Sequence, residues 1–225
     1  MCKVGLVYTS TTPELIQLVE EEVKKQLGTG TELLTYTDPS ILAEVREAGF
    51  VTGKTAAKLV GMFLQAVKDG ADAILNICSS VGEVADCVQD MADYIGVPIV
   101  RIDEDMCRDA VRKGCRIGVI ATLPTTLEPT KSTIQRVARQ MGRTVTLTDG
   151  LVEVFGLGQE AFQEQLVRKA MEIKDEADVI LLCQGSMAYC EQIIEDACSL
   201  PTVSSPRYGA AALKEALIRK GVSLC

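Results

Sequence analysis

Short apolar runs alternate along the chain with longer stretches whose apolar residues recur every three to four positions. Lys3 to Tyr8 reads as a buried strand. Thr12 then offers an N-cap and Pro13 a first helical residue for a helix to about Lys25. Thr31 to Tyr36 reads as a second strand, and Pro39 to Lys68 as helical with a break around Gly49 to Gly53. Ala73 to Ile77 is a third strand, Val81 to Ile95 a helix, Pro98 to Ile102 a fourth strand and Glu104 to Lys113 a helix.

The alternation then restarts. Arg116 to Ala121 reads as a strand, followed by a helix to about Met141 and a weaker strand at Thr144 to Leu147. Gln159 to Glu176 is a helix, Val179 to Leu182 a strand, Met187 to Cys198 a helix, Thr202 and Val203 a short strand, and Tyr208 to Lys220 a closing helix. Strands separated by helices imply parallel sheets with right-handed crossovers. The restart is an internal repeat. Cys2-Lys3-Val4-Gly5-Leu6-Val7 matches Cys115-Arg116-Ile117-Gly118-Val119-Ile120, and Asp69 to Leu75 matches Asp175 to Leu181. The expected fold is α/β, with two pseudo-symmetric doubly wound domains, parallel sheets, and an active site in the cleft between them. The expected domains are residues 1–100 with 208–225, and 101–207.

Composition narrows the chemistry. The chain is 47% hydrophobic and 24% charged, ordinary for a globular protein with a sizeable core. The apolar start is too short for a secretion signal, and no run approaches the ~20 residues of a membrane helix. A cytoplasmic protein without membrane contact is expected. A net charge of −8 argues against nucleic acid as a partner. The nine cysteines are odd in number and scattered, without a C-x-x-C pair, so reduced thiols fit better than a disulfide framework or a zinc site. With no histidine in the chain, proton transfer near neutral pH falls to Cys, Asp, Glu, Lys or Tyr.

Two cysteines stand out by position. One repeat strand runs into Asn76-Ile77-Cys78-Ser79-Ser80-Val81-Gly82, the other into Leu181-Leu182-Cys183-Gln184-Gly185-Ser186-Met187. Ligands of open parallel sheets bind at the carboxyl ends of strands. A helix starting beside each cysteine would stabilise its thiolate, and the free N–H groups with Ser79, Ser80 and Ser186 could hold a carboxylate. Two such cysteines facing a shared cleft suit stereochemical inversion, one removing a proton from carbon and the other delivering one. The ungapped repeat, however, aligns Cys78 with Gln184. Cys87, Cys190 and Cys198 read as helix-face core, Cys2 and Cys115 open strands, and Cys107 and Cys225 carry no assigned role.

Cys78-Ser79-Ser80, Gly118-Val119-Ile120-Ala121-Thr122-Leu123-Pro124-Thr125 and Leu181-Leu182-Cys183-Gln184-Gly185 resemble the aspartate/glutamate/hydantoin racemase superfamily over nearly the whole chain. The resemblance implies two cysteines, Cys78 and Cys183, acting without pyridoxal phosphate or metal. It also implies substrate-binding roles for Thr9, Ser10, Ser79, Ser80, Thr122, Thr125 and Ser186, with Gln184 and Gly185 in the same loop. The implied partner is a small carboxylate, and a homodimer is expected of the family. The chain departs from the amino-acid racemases at Thr9-Ser10-Thr11, where they often have Asp-Ser-Gly. It departs again at Cys78-Ser79-Ser80 for Cys-Asn-Thr and at Cys183-Gln184-Gly185 for Cys-Thr-His. The assisting Asp and His are therefore absent. Decarboxylase relatives keep one of the two cysteines, so two favour racemisation of an amino acid or hydantoin. A cis-trans isomerase of the maleate type and a non-catalytic carboxylate-binding protein are the alternatives.

Other signals are weaker. Thr52-Gly53-Lys54-Thr55 lacks the first glycine of a phosphate loop and reads as a helix start. Gly156-Leu157-Gly158 reads as a loop before a helix, and Asp103-Glu104-Asp105 as a cap. Arg46, Arg101 and Arg207 are each candidates for a second substrate carboxylate.

Overall fold

The computed structural model describes residues 2–154 and 157–223. Of the residues named above, Gly156 and Cys225 lie outside these. The chain divides into two compact units, one formed up to Ile102 and again from Pro206, the other by Asp103–Ser205.

The first unit contains β1 (Lys3–Tyr8), α1 (Pro13–Leu27), β2 (Glu32–Thr37), α2 (Pro39–Ala48), α3 (Gly53–Lys68), β3 (Ala73–Asn76), α4 (Gly82–Cys87), α5 (Gln89–Ile95) and β4 (Ile99–Arg101). Its sheet is parallel, in the order β2-β1-β3-β4. Strand alternation sends Val4, Leu6 and Tyr8 of β1 and Ala73, Leu75 and Ile77 at β3 to one face, against Val19, Val23 and Leu27 of α1. Val7 and Ile74 go to the other face, against Leu59, Phe63 and Ala66 of α3. Burying both faces is what makes these strands near-continuous apolar runs.

The second unit repeats this plan with α6 (Glu104–Lys113), β5 (Arg116–Ala121), α7 (Pro124–Gln140), β6 (Thr146–Leu151), α8 (Gln159–Ile173), β7 (Val179–Leu182), α9 (Glu191–Cys198) and β8 (Thr202–Ser204). Its parallel sheet has the order β6-β5-β7-β8, the same topology as the first. The closing helix, α10 (Ser205–Lys220), packs Ala210, Leu213 and Leu217 into the core of the first unit beside α1. The fold is thus α/β with two parallel four-stranded sheets and flanking helices, as the alternation implies.

The sequence repeat has a visible physical purpose. In the first unit the Lys3 amide donates to the Asp72 carboxylate at 2.9 Å, while the Asp72 amide donates to the Lys3 carbonyl at 2.7 Å. Arg116 and Asp178 make the same two bonds at 2.9 and 2.7 Å. Gly5 and Gly118 are needed for close packing. A Cβ at Gly5 would lie 3.0 Å from Ala66 of α3, and one at Gly118 would lie 2.8 Å from Ile180 and 3.0 Å from Ile173 of α8.

Three sequence expectations are corrected. The helix expected over Val81–Ile95 is broken into a 3-10 turn at Ser79–Val81, then α4, then α5. The Gln89 side chain donates at 2.6 Å to the Ala85 carbonyl, which a continuous helix would give to the Gln89 amide. The weak strand expected at Thr144–Leu147 lies instead at Thr146–Leu151. The full length of β5 sets its pairing, Arg116↔Thr146 through Ala121↔Leu151, and an edge strand tolerates polar Thr148 and Asp149. Cys87 is exposed at the end of α4 rather than part of the core, because α4 stops there. Thr52 caps α3 by accepting from the Thr55 amide at 3.2 Å, so Gly53-Lys54-Thr55 is a helix start.

Candidate active site

In the first unit the expected site residues gather at the carboxyl ends of β1 and β3. Thr9 directly follows β1 and is fully buried, while Ser10 is exposed. Cys78 stands two residues beyond β3 in extended backbone, half-buried, and packs against the apolar cluster that holds Val7 and Ile74. Ser79 and Ser80 are buried in the 3-10 turn that follows.

Asn76 was not singled out from sequence, although a polar residue inside an apolar strand was the available signal. It is 1% exposed and shares Cys78's face, and its Nδ2 donates to the Cys78 carbonyl at 3.3 Å. Among the described residues, Asn76 Oδ1 and Thr9 Oγ1 are buried without a hydrogen-bond partner. Such atoms are uncommon in folded proteins, and each has bonding capacity left for a water or a bound group.

In the second unit, Thr122 and Thr125 follow β5, and Gln184, Gly185 and Ser186 follow β7. Gln184 and Thr122 are locked together. The Gln184 Nε2 donates to Thr122 Oγ1 at 2.5 Å, and the Thr122 amide donates to Gln184 Oε1 at 3.0 Å. Thr125 Oγ1 is buried without a partner among the described residues, while Ser186 is exposed.

Cys183 does not occupy the position that Cys78 occupies. The β1–β3 register pairs Val7 with Asn76, and the β5–β7 register pairs Ile120 with Leu182. The Ile77 amide donates to Val7 O at 2.9 Å, and the Cys183 amide donates to Ile120 O at 2.9 Å. Cys183 therefore corresponds to Ile77, and Gln184 to Cys78. In strand geometry one residue changes the face. Cys183 is 0% exposed, and its thiol is hydrogen-bonded to Thr130 of α7.

The thiolate-stabilising helix start expected beside each cysteine is found at neither: the 3-10 turn Ser79–Val81 follows Cys78, and the 3-10 turn Gly185–Cys190 follows Gln184 after Cys183. Burial pushes the Cys183 thiol up to about 12, opposed by the Thr130 hydroxyl and reinforced by the carboxylates of Asp103 and Asp149. Cys183 is thus a neutral thiol at neutral pH, contrary to the expected lowering.

The remaining candidates separate clearly. Arg46 is exposed. Arg207 lies 4.7 Å over the Tyr208 ring. Arg101 is buried and paired with Asp86 at 2.7 Å. Asp103 stands at the N-cap of α6, but its side chain makes no capping bond. Among the described residues, no group of three His, Cys, Asp or Glu could hold a metal ion, and no helix is long and apolar enough to cross a membrane.

Each of the two α/β units thus ends its central strands in hydroxyl and amide groups with a thiol close by. The chain belongs to the Asp/Glu/Hydantoin racemase family, whose model matches residues 4–213. No curated protein matches it in sequence. Among solved structures it is similar to the allantoin racemase of Klebsiella pneumoniae, with TM-score 0.68 and 18% identity over 100% of this chain and 91% of that one. A glutamate racemase of Bacillus anthracis gives TM-score 0.71 and 16% identity over 98% and 83%. An arylmalonate decarboxylase gives 0.61 and 14% over 96% and 93%. At these identities the likeness is one of fold, and the family membership supports a racemase-type function.

Proposed function

We propose that the protein is a cofactor-independent racemase or epimerase acting at a carbon next to the carboxylate or amide carbonyl of a small amino acid or hydantoin-like substrate. Cys78 is the thiol that removes the proton. The observation that carries this is its placement: a half-buried thiol at the carboxyl end of a central strand, beside buried Ser79, Ser80, Thr9 and Asn76. The unpartnered Thr9 and Asn76 oxygens supply hydrogen-bonding capacity for a polar substrate. Cys183 is the complementary acid. It donates in one direction and takes the proton in the other, so the burial that raises its pKa has to be relieved for it to act. That role asks the Thr130-bonded thiol to turn out from beneath α7.

A second reading is favoured by one observation, that the counterpart of Cys78 is Gln184, which carries no transferable proton near neutral pH. In that reading Cys78 works alone and returns hydrogen to one face only.

Solvent deuterium incorporation at the α-carbon separates the two readings. Both enantiomers of aspartate, glutamate, other amino acids and simple hydantoins are followed by NMR, with Cys78→Ser and Cys183→Ser alongside. Two-thiol racemisation gives exchange with inversion, and each of Cys78→Ser and Cys183→Ser stops inversion and leaves at most exchange with one enantiomer, a different one for each variant. Exchange with retention that survives Cys183→Ser establishes the one-thiol reading. Exchange with both enantiomers undiminished in Cys78→Ser overturns both.

A further inference from the structure

We propose that Arg101 is the positioning residue for Cys78, fastening the segment that carries this thiol to β4. The inference rests on Cys78 being the reacting thiol and holds for either reading above. The segment after Cys78 has little stability of its own. Helix α4 is only six residues long, and Val81 at its start offers no side-chain cap. A helix this short does not persist without tertiary support.

Arg101 supplies that support. It leaves β4 in register with Asn76, the residue two before Cys78. Its side chain is 4% exposed, and its Nη1 donates to Asp86 Oδ2 at 2.7 Å. The guanidinium plane lies directly over the Cα of Gly82. A Cβ there would sit 2.4 Å from Nη2, 2.5 Å from Cζ and 2.7 Å from Nε.

Gly82 and Asp86 are one helical turn apart, so a single planar group grips both ends of the first turn of α4. Gln89 adds a second tie, donating to the Ile99 carbonyl of β4 at 3.0 Å. A buried guanidinium is costly unless well paired, and a lysine ammonium would carry the charge without the flat fork that covers Gly82. The glycine and the arginine are therefore one device: removing the Cβ admits the plane, and the plane holds the turn.

The test uses Gly82→Ala, Arg101→Lys and the double variant. All three retain the positive charge, so the readout reports position. Iodoacetamide labelling of each cysteine is timed by peptide mass spectrometry, and amide exchange is followed in residues 79–87 and in β1. Each single variant is expected to speed Cys78 labelling about tenfold or more, and to speed exchange in 79–87, while β1 and the buried Cys183 stay protected. The double variant is expected to be no worse than Arg101→Lys alone, because the slimmer lysine leaves room for the new Cβ.

Unchanged Cys78 labelling and unchanged 79–87 exchange in both single variants would overturn the proposal. Parallel loosening of β1 or Cys183 would also overturn it, by showing a general folding role. The two levels fail separately. If Cys78→Ser leaves deuterium exchange intact, the functional reading falls while the clamp stands. If the clamp variants leave Cys78 labelling unchanged but Cys78→Ser is inactive, only the clamp falls.

Discussion

Strands β3 and β7 begin with nearly the same sequence on the same topology, yet their ends, Asn76-Ile77-Cys78 and Leu182-Cys183-Gln184, place their thiols differently. After β3 the strand continues through Ile77, which is core, to Cys78, which packs on the α3–α4 face. After β7 the core position itself is the cysteine, buried under α7 with Thr130, and the Cys78 position holds Gln184 clasping Thr122. A shift of one residue in a period-two element exchanges a reactive position for a core position. Repetition in sequence thus preserved the scaffold bonds, Lys3–Asp72 and Arg116–Asp178, without preserving the chemistry at the strand ends.

The largest effect that can break this comparison is catalytic. Cys78→Ser is expected to lower α-carbon exchange of the enantiomer it deprotonates by ~10²–10⁴-fold, the span of a lost general base, as read by NMR. A swap, Gln184→Cys with Cys183→Ile, moves the second thiol to the position matching Cys78. In the folded protein the new thiol should take up iodoacetamide at pH 8, while wild-type Cys183, protonated up to about 12, should not. Prompt labelling of wild-type Cys183 would contradict the burial on which the comparison rests.

The next effect is structural. Gln184→Leu leaves the Thr122 amide and hydroxyl without their partner and should cost the second unit about 1–3 kcal/mol, measured by urea denaturation. A neutral result would show that the clasp only fills space.

A pH effect follows from Glu104. Burial pushes its carboxyl up, but Arg136 at 2.9 Å and Arg108 at 2.6 Å together hold it below the usual carboxylate range. Its folded-state pKa lies below the unfolded value near ~4.3. The α6–α7 tie therefore stabilises fully above that value and is lost as pH falls through the folded pKa. Glu104→Gln should flatten the acid arm of a denaturation profile for the second unit and leave the first unit unchanged.

The smallest effect compares Asp72→Asn with Asp178→Asn. Arg116 donates twice to Oδ1 of its aspartate, from Nε at 2.9 Å and Nη2 at 2.7 Å, whereas the Lys3 side chain goes to Glu32 and the cation facing Asp72 is Lys220 at 3.9 Å. The Asp178 variant should lose slightly more thermal stability, although the exposure of this pair keeps the difference small.

Much of the scaffold is legible in the amino-acid sequence. Short apolar runs between amphipathic stretches locate the central strands β1, β3, β5 and β7 and most helices, because burial on both faces leaves little freedom in composition, whereas the polar edge strand β6 starts two residues and ends four residues after the expected one. Thr12-Pro13 and Thr52 announce their helix starts through bonds made within three residues. Asn76 and Arg101 are less legible. A polar side chain in a strand can face a ligand, a partner or solvent, and sequence does not say which.

By itself, then, the sequence determined the order of elements, the two-fold repetition of the βα plan and the set of residues at the carboxyl ends of the strands. Those properties depend on local periodicity and on the chemistry of single residues. Tertiary structure decided which neighbours each of those residues received. The sheet registers assigned Cys183 to Ile77's position and Gln184 to Cys78's, and Cys183's burial under α7 raised its pKa. The packing of β4 on α4 brought Arg101 over Gly82, nineteen residues earlier in the chain. Face, burial and partner are set by contacts between segments far apart in sequence, and a one-residue difference in register is enough to change all three.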